Sequence, residues 1–223
     1  MSFTAVGVLT SYEDSPSGTS SVYSLTTHTV GNVILIGHLT GGTSWVTAMS
    51  GGGCTWEQVD TTVDFSPQWG GFGNLWKGTV VTPGTADATV TFSGTVSGNN
   101  RLFGNEFSVT SGASSAVAEM TGDVAGDTSD WPKLTPAGSG RLYWGCCEDS
   151  GSAVAGSTPG FTYEVDGRGN CAGFDVNVSA ACQPVWGDSG QLAGVMVLMQ
   201  EKLPVPPGGS DDMVSLLTWL RLL

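Results

Sequence analysis

The sequence is poor in charge, above all in cations, and this scarcity excludes several classes of partner. Charged residues make up 12% of the 223 residues; seven are Lys or Arg and 20 are Asp or Glu, for a net charge of −13. A chain this acidic repels phosphate backbones and anionic lipid surfaces, so we expect neither a nucleic acid nor a membrane as partner. The 34 glycines and the low charge are typical of short strands joined by many turns.

Long apolar runs and a basic leader are also missing. The first nine residues contain no cation, and no apolar stretch approaches the ~18 residues of a membrane span. We therefore expect a protein that is made in a cytosolic compartment and stays there until something releases it. The cysteines are odd in number and irregular in spacing, which favours small apolar residues in a reducing compartment over a zinc site or a disulfide pair. They are Cys54, Cys146, Cys147, Cys171 and Cys182.

Residues with catalytic or metal-binding chemistry are few. His28 and His38 are the only histidines, so one chain cannot build a multi-histidine metal site. The acidic clusters lack the alternating spacing of a calcium loop, and no Lys-Ser/Thr follows the glycines at 51–53 as a phosphate loop requires. We expect no cofactor, no bound metal and no catalytic residue.

One short motif favours a different function. Residues 187–190 read Gly-Asp-Ser-Gly, the nucleophile motif of trypsin-like proteases, and His38 and Asp87 precede Ser189 in the required order. The surrounding sequence differs from that family, since Gln191-Leu192 follow the motif and no cysteine follows His38. Gly, Asp and Ser are also common turn formers before a strand. A serine hydrolase is therefore the third and weakest functional hypothesis.

The clearest positive feature is an internal repeat. Residues 31–60 and 140–166 each contain an apolar strand that begins and ends with glycine, then a Gly/Ser-rich loop, then a strand with an aromatic residue, a glutamate and an aspartate. Two copies cannot form a solenoid, so the repeat predicts one domain built from two similar antiparallel halves. This feature concerns the architecture and carries no catalytic chemistry.

Strand patterns occur throughout the chain up to residue 203. They predict an all-β fold, an antiparallel β-sandwich or jelly roll over 1–203, with halves at about 1–110 and 138–203 and a crossover at 111–137. The continuous apolar run at 33–36 is typical of a strand that is covered on both faces or lies deep in a sandwich. The predicted strands lie at 4–9, 22–29, 33–36, 45–49, 55–60, 73–81, 88–92, 101–109, 141–146, 162–165, 171–178 and 192–203.

The C-terminal residues have a different pattern. A Pro/Gly linker at 204–209 precedes a predicted amphipathic helix at 210–223, with Ser210 as N-cap. A helix of ~14 residues is marginal alone in water and needs a surface, either its own domain or a neighbouring subunit. Its apolar stripe, the predicted interface, consists of Met213, Leu216, Leu217, Leu220 and Leu223.

Two of the eight tryptophans, Trp69 and Trp131, lie in predicted loops beside polar residues. Loop tryptophans can stack on a sugar ring, and they also occur at protein–protein interfaces. The first interpretation gives the second functional hypothesis, a carbohydrate-binding module.

The repeat and its strands resemble a class of two-halved β-sandwich domains found in virion proteins of tailed bacteriophages, including minor tail proteins, and in some bacterial secreted proteins. The resemblance covers residues 20–202 as a pattern of strand spacing. It is carried by VGNVILIG at 30–37, LWKG at 75–78, TPGT at 82–85, ATVTF at 88–92, GSGRLYW at 138–144, GFTYE at 160–164 and AGVMVL at 193–198.

The resemblance implies a jelly-roll-like sandwich and a non-enzymatic structural role in the virion. We therefore expect a minor tail protein or capsid decoration protein that is assembled into the virion in the host cytoplasm, forms a homo-oligomer and contacts other virion proteins. In the carbohydrate-binding hypothesis, the partner is a glycan of the host surface. The predicted C-terminal helix departs from the bare domain.

Overall fold

The described residues of the computed structural model form thirteen antiparallel strands and no helix. The structure describes residues 3–14, 18–65, 70–96, 100–110, 112–123, 131, 133–149, 154–165, 170–185, 187 and 192–201. The strands are β1 (Thr4–Asp14), β2 (Ser20–Thr27), β3 (Val33–Gly41), β4 (Val46–Gly51), β5 (Cys54–Asp64), β6 (Gly71–Val80), β7 (Gly84–Phe92), β8 (Asn100–Ser108), β9 (Ala113–Asp123), β10 (Arg141–Asp149), β11 (Thr162–Val165), β12 (Asn170–Val178) and β13 (Leu192–Glu201).

These strands form three sheets. The central sheet has the order β1-β8-β3-β6-β5, the small sheet β2-β7-β4, and the C-terminal sheet β9-β13-β10-β12-β11. Because the small sheet packs on one face of the central sheet and the C-terminal sheet on the other, the protein has three β-layers. The predicted all-β antiparallel class is confirmed. The part of the chain that the structure describes also contains no helix suited to cross a bilayer.

Strand β3 lies in the middle of this arrangement. Val33 and Leu35 point into the core shared with the C-terminal sheet, whereas Ile34 and Ile36 point into the core shared with the small sheet. All four side chains are fully buried. Alternate side chains of a strand point to opposite faces, so an unbroken apolar run is what a strand between two layers requires. The prediction that this run is covered on both faces is confirmed.

The two five-stranded sheets have the same strand order. If the five strands that each sheet contains are numbered along the chain, both sheets read 1-5-2-4-3. The repeated sequence segments fall on equivalent elements: β3 and β10 are the middle strands, and β5 and β11 are edge strands. The halves differ because β2, β4 and β7 are inserted between the strands of the first sheet and form the small sheet.

Three glycines connect the small sheet to the central sheet. Gly51, Gly52 and Gly53 have φ values of 75°, 64° and 69° and lead from β4 into β5. A Cβ on Gly53 would lie 2.0 Å from the carbonyl oxygen of Thr82. Both the positive φ and the close backbone contact exclude other residues, so this turn depends on glycine.

The predicted crossover at 111–137 is wrong in its first part. Residues Ala113–Asp123 form β9, an edge strand that pairs along its length with β13. The segment is rich in Ala, Ser and Thr and lacks a clear apolar alternation, which is why the sequence pattern missed it. An edge strand is held by the backbone ladder of its neighbour, so it can form without such a pattern.

Candidate interaction surface

The exposed face of the small sheet has a regular arrangement of side chains. In β2 the side chains alternate strictly, with Tyr23 and Leu25 buried against the central sheet and Val22 and Ser24 exposed. The alternation follows from the two-residue period of a strand that has one face in the core. It makes the opposite face a flat layer of short side chains.

The register places these side chains in rows across three strands. One row contains Val22, Thr89 and Ser50, and the next contains Ser20, Thr91 and Ala48. Ser24 lies opposite Asp87 and Thr26 opposite Thr85, and the hydroxyl oxygens of Thr26 and Thr85 are 2.9 Å apart. The small-sheet face is defined here as Ser20, Val22, Ser24, Thr26, Ala48, Ser50, Thr85, Asp87, Thr89 and Thr91.

The small-sheet face is nearly neutral on a strongly acidic chain. Asp87 is its one ionisable side chain, while the whole chain carries a net charge of −13. A partner that covers this face would desolvate a single carboxylate and would immobilise mainly Ser and Thr side chains, which have little rotamer entropy to lose. The face is therefore suited to contact with another flat protein surface.

The sheet also has two open edges. Among the described strands, β2 and β4 each form a backbone ladder with β7 alone. Such edges can pair with a strand of a partner, and monomeric proteins usually suppress this with charged edge residues, proline or bulges. At the end of β4 the Gly51 carbonyl already accepts a hydrogen bond from the Trp56 indole at 3.0 Å. No Lys, Arg or Glu occurs in β2 or β4.

An aromatic and polar layer supports the small sheet from below. His38 of β3 lies between the rings of Tyr23 and Phe92, with centroid distances of 6.3 Å and 5.8 Å. Neither ring nitrogen of His38 has a hydrogen-bond partner among the described residues, and burial lowers the pKa of His38 to about 3. The imidazole is thus neutral and acts as a core aromatic.

A buried carboxylate holds the end of β2 to the central sheet. Glu106 of β8 accepts hydrogen bonds from the backbone N–H of His28 at 3.1 Å and from the Asn32 amide at 2.6 Å, and its second oxygen lies 2.7 Å from Nδ1 of His28. Burial alone would raise the pKa of Glu106, but the hydrogen bonds from His28 and Asn32 outweigh it and lower the pKa. The ionised carboxylate therefore orients the connection between β2 and β3.

A second polar group connects the central and C-terminal sheets. Asn105 of β8 accepts a hydrogen bond from the Trp144 indole at 2.8 Å and donates one to Glu164 at 2.6 Å. Burial raises the pKa of Glu164, and the bond from Asn105 opposes that rise. Since Asn105 uses both its donor and its acceptor, its position fixes how the two sheets lie against each other.

One of the two tryptophans predicted to stack on a sugar, Trp131, is not accessible to a ligand. Trp131 is fully buried, stacks on Tyr143 at 6.4 Å and meets Tyr163 edge-on at 6.5 Å. No face of its ring is open to a sugar, so the prediction of a stacking platform at Trp131 is wrong. The sequence gives no sign of this burial because the residues that cover the ring come from β10 and β11, far along the chain. Trp69 lies outside the described residues.

The hydrolase arrangement is not assembled. His38 has no contact with a carboxylate in the described structure, and Asp87 is exposed on the small-sheet face. Because a catalytic imidazole must reach both its orienting acid and its nucleophile, these positions exclude His38 and Asp87 as a pair. Ser189 lies outside the described residues.

The remaining predictions concern the C-terminal helix and a bound metal. The apolar stripe of Met213, Leu216, Leu217, Leu220 and Leu223, with its linker, lies outside the described residues. Within the ranges given above, no three His, Cys, Asp or Glu side chains lie close enough to hold a metal ion.

The small-sheet face was not among the sites predicted from the sequence. Its signal was available in the alternation of β2 and in ATVTF of β7, where every second residue is Ser, Thr or Val. The pattern does not show that β4 also pairs with β7, because these two strands are about 40 residues apart in the chain.

Comparison of the chain with protein-family models finds no match, and comparisons with curated proteins and with solved structures find none either.

Proposed function

We propose that this chain is a non-enzymatic structural protein of a tailed-phage virion, a minor tail protein or capsid decoration protein, and that it acts through protein–protein interfaces. The observation that carries the structural role is the small-sheet face, a flat and nearly neutral surface with two open edges on an acidic body. The assignment to a virion is supported by the sequence resemblance.

The strand order supports a jelly-roll-like unit in the first half. β1 pairs with β8, β2 with β7 and β3 with β6, and a glycine turn joins β4 to β5. This nested pairing is what results when one long antiparallel hairpin is rolled so that its strands divide between two facing sheets. Of the described strands, β5 alone departs from this division, because it pairs with β6 in the central sheet.

The proposed partner of the small-sheet face is a second copy of the chain. Two acidic copies repel each other over most of their surfaces, so association is favoured where charge is least. Contact through this face leaves the remaining carboxylates in water, where they keep the assembly hydrated.

The proposal is tested by the assembly state of the full chain and of the variant Val22→Glu. Val22 is 57% exposed and lies at one end of the row that also contains Thr89 and Ser50, so Glu adds charge to the face without disturbing the core. The matched control is Val30→Glu, because Val30 is 63% exposed but lies in the turn after β2. We expect oligomers for the full chain and for Val30→Glu by light scattering, and monomers for Val22→Glu.

A monomeric full chain at every accessible concentration would overturn the homo-oligomer, as would equal assembly of both variants. A chain ending at Leu203 separates the contribution of the predicted helix from that of the face. The virion assignment has its own test, since peptides of the chain should be found in gradient-purified tailed particles made from the same genome.

A further inference from the structure

Cys147 and Cys171 lie directly opposite each other in the C-terminal sheet. In the antiparallel ladder of β10 and β12, Cys147 is paired with Cys171, and the pairs on either side, Cys146 with Ala172 and Glu148 with Asn170, keep the same register. Opposite residues of such a ladder have Cα atoms ~4.5 or ~5.5 Å apart. Disulfides span ~4.4–6.8 Å between Cα atoms, so this register permits a bridge without backbone movement.

Both thiols occupy the same side of the sheet. Cys147 and Cys171 belong to the core cluster on the face away from the central sheet and are 2% and 0% exposed. The adjacent Cys146 belongs to the core on the other face, as the alternation of a strand requires. None of the three is in a disulfide, and Cys147 and Cys171 are within hydrogen-bonding reach of each other. Among the described cysteines, no other two are directly opposite in a ladder.

We propose that Cys147 and Cys171 form a latent disulfide site. The two thiols stay reduced while the chain is in a reducing medium, and they form a disulfide across the C-terminal sheet when the chain enters an oxidising medium. The oxidant is a small-molecule disulfide. One protein thiol loses its proton and attacks the external disulfide, releasing one small thiol and leaving a mixed disulfide. The second protein thiol then attacks this mixed bond, forms the protein S–S bond and releases the second small thiol.

Access to the pair is controlled by β11. This four-residue edge strand pairs with β12 alone among the described strands, and Val165 is the partner of Cys171. Tyr163 of β11 packs against the cluster that contains both thiols. Burial raises the pKa of Cys171, so its reactive thiolate is scarce in the closed structure. Short edge strands open locally at low free energy, and we expect oxidation to follow detachment of β11.

The bridge would join two neighbouring strands and close the segment that contains β11. A disulfide stabilises chiefly by restricting the unfolded chain, and a loop of this length gives an increase in Tm of about 5–10 °C. The proposal is independent of the proposed function, because it concerns the folded chain in any oxidising medium.

The test uses the full chain incubated with oxidised glutathione, followed by alkylation of the remaining thiols and mass spectrometry. We expect the loss of two hydrogens without bound glutathione, one cross-linked peptide pair that joins Cys147 to Cys171, and the increase in Tm. Cys171→Ala should abolish the bridge and trap glutathione on Cys147, whereas Cys146→Ala, the matched control, should oxidise as the original chain does.

Reduction of the oxidised original chain by dithiothreitol should return its Tm to the starting value, a result that needs no variant. The proposal is overturned if the original chain gains no intramolecular bridge, if Cys146 replaces Cys147 in it, or if the bridged chain is no more stable than the reduced one.

Discussion

The first and second halves of the molecule share one strand order but cover their sheets in different ways. The central sheet is covered on its far side by a second sheet, made of strands inserted between its own. Among the described residues, the C-terminal sheet has no such inserted strands. Its far side is covered by segments outside the sheet strands, which contribute Trp131, Leu134 and Phe161 to the core cluster there.

The comparison shows that a complete extra layer can be added without changing the order of the sheet beneath it. In a rolled hairpin a strand inserted on one arm can pair with a strand inserted at the matching position on the other arm, as β2 pairs with β7, and β4 adds to the other edge of β7. The middle strands β3 and β10 are therefore both buried on two faces, although one is covered by a sheet and the other largely by non-strand segments. Burial of a strand thus does not reveal what covers it.

The small sheet and the segments that cover the C-terminal sheet also differ in chemistry. The small sheet presents hydroxyl groups and a single carboxylate to solvent, whereas most acidic residues of the chain follow residue 110. A regular sheet can serve as an interface because its rows are flat, and an irregular cover can bury large aromatics because it adapts to their shape. The following predictions test these differences, beginning with the largest effect.

The largest expected effect comes from the contact between the two halves. A Cβ on Gly37 of β3 would lie 2.0 Å from the Cys146 sulfur and 2.7 Å from Cγ2 of Val195. We expect Gly37→Ala to lower the free energy of unfolding by about 3 kcal/mol or more, because both neighbours are buried and cannot move away. Urea titration measures this. Combination with Cys146→Ala removes the nearer atom and should restore about 1 kcal/mol, and strict additivity of the two changes would refute the proposed clash.

An effect of similar size compares the small sheet directly with the segments that cover the C-terminal sheet. Trp131→Ala and Phe92→Ala each remove a large buried ring, and each should lower the free energy of unfolding by about 3–5 kcal/mol. Hydrogen exchange distinguishes them. The first should raise exchange in β11 and β12 and the second in β2, β4 and β7, since each ring packs in its own cluster. The same pattern of exchange in both variants would mean that the layers do not open separately.

The small sheet should also be the acid-sensitive layer. In the unfolded chain His38 takes up a proton near pH 6.5, whereas the folded chain holds it neutral down to about pH 3. The unfolded state therefore binds more protons between these values, and stability falls as the pH is lowered through this window. At pH 5 we expect the loss of about 2 kcal/mol relative to neutral pH.

Thermal unfolding of the original chain and of His38→Leu, followed from pH 7 to pH 5, measures this loss. The variant should lack most of it. Glu106 does not contribute to the stability change between pH 7 and pH 5, because its pKa is lowered below the usual range. An equal loss of stability in both proteins would show that His38 is not responsible.

The smallest effect should come from the exposed hydroxyl pair on the small-sheet face. Thr26→Ala removes an exposed hydrogen bond to Thr85 and should change the free energy of unfolding by less than about 0.5 kcal/mol. Equilibrium urea unfolding measures the change. A loss above 1 kcal/mol would indicate that this face contributes to stability and is not free to serve an interface.

Much of the fold could be predicted from local pattern. The alternation in β2 and in residues 88–92, the apolar run of β3 and the glycine turn at 51–53 all correspond to the observed elements. The repeated segments lie at equivalent positions in two sheets, β3 and β10 in the middle and β5 and β11 at an edge. The strand β9 was missed because Ala113–Asp123 has no apolar alternation and pairs through its backbone.

The interaction surface and the buried residues were not predictable in the same way. A histidine in a strand and a tryptophan beside a proline indicate polar or exposed side chains, yet both His38 and Trp131 are wholly buried. Period-two alternation and turn glycines act between near neighbours in the chain, so strand positions can be read from the residues themselves. Which side chains are buried, and which thiols meet, depends on strands brought together from distant parts of the chain, and that is a property of packing.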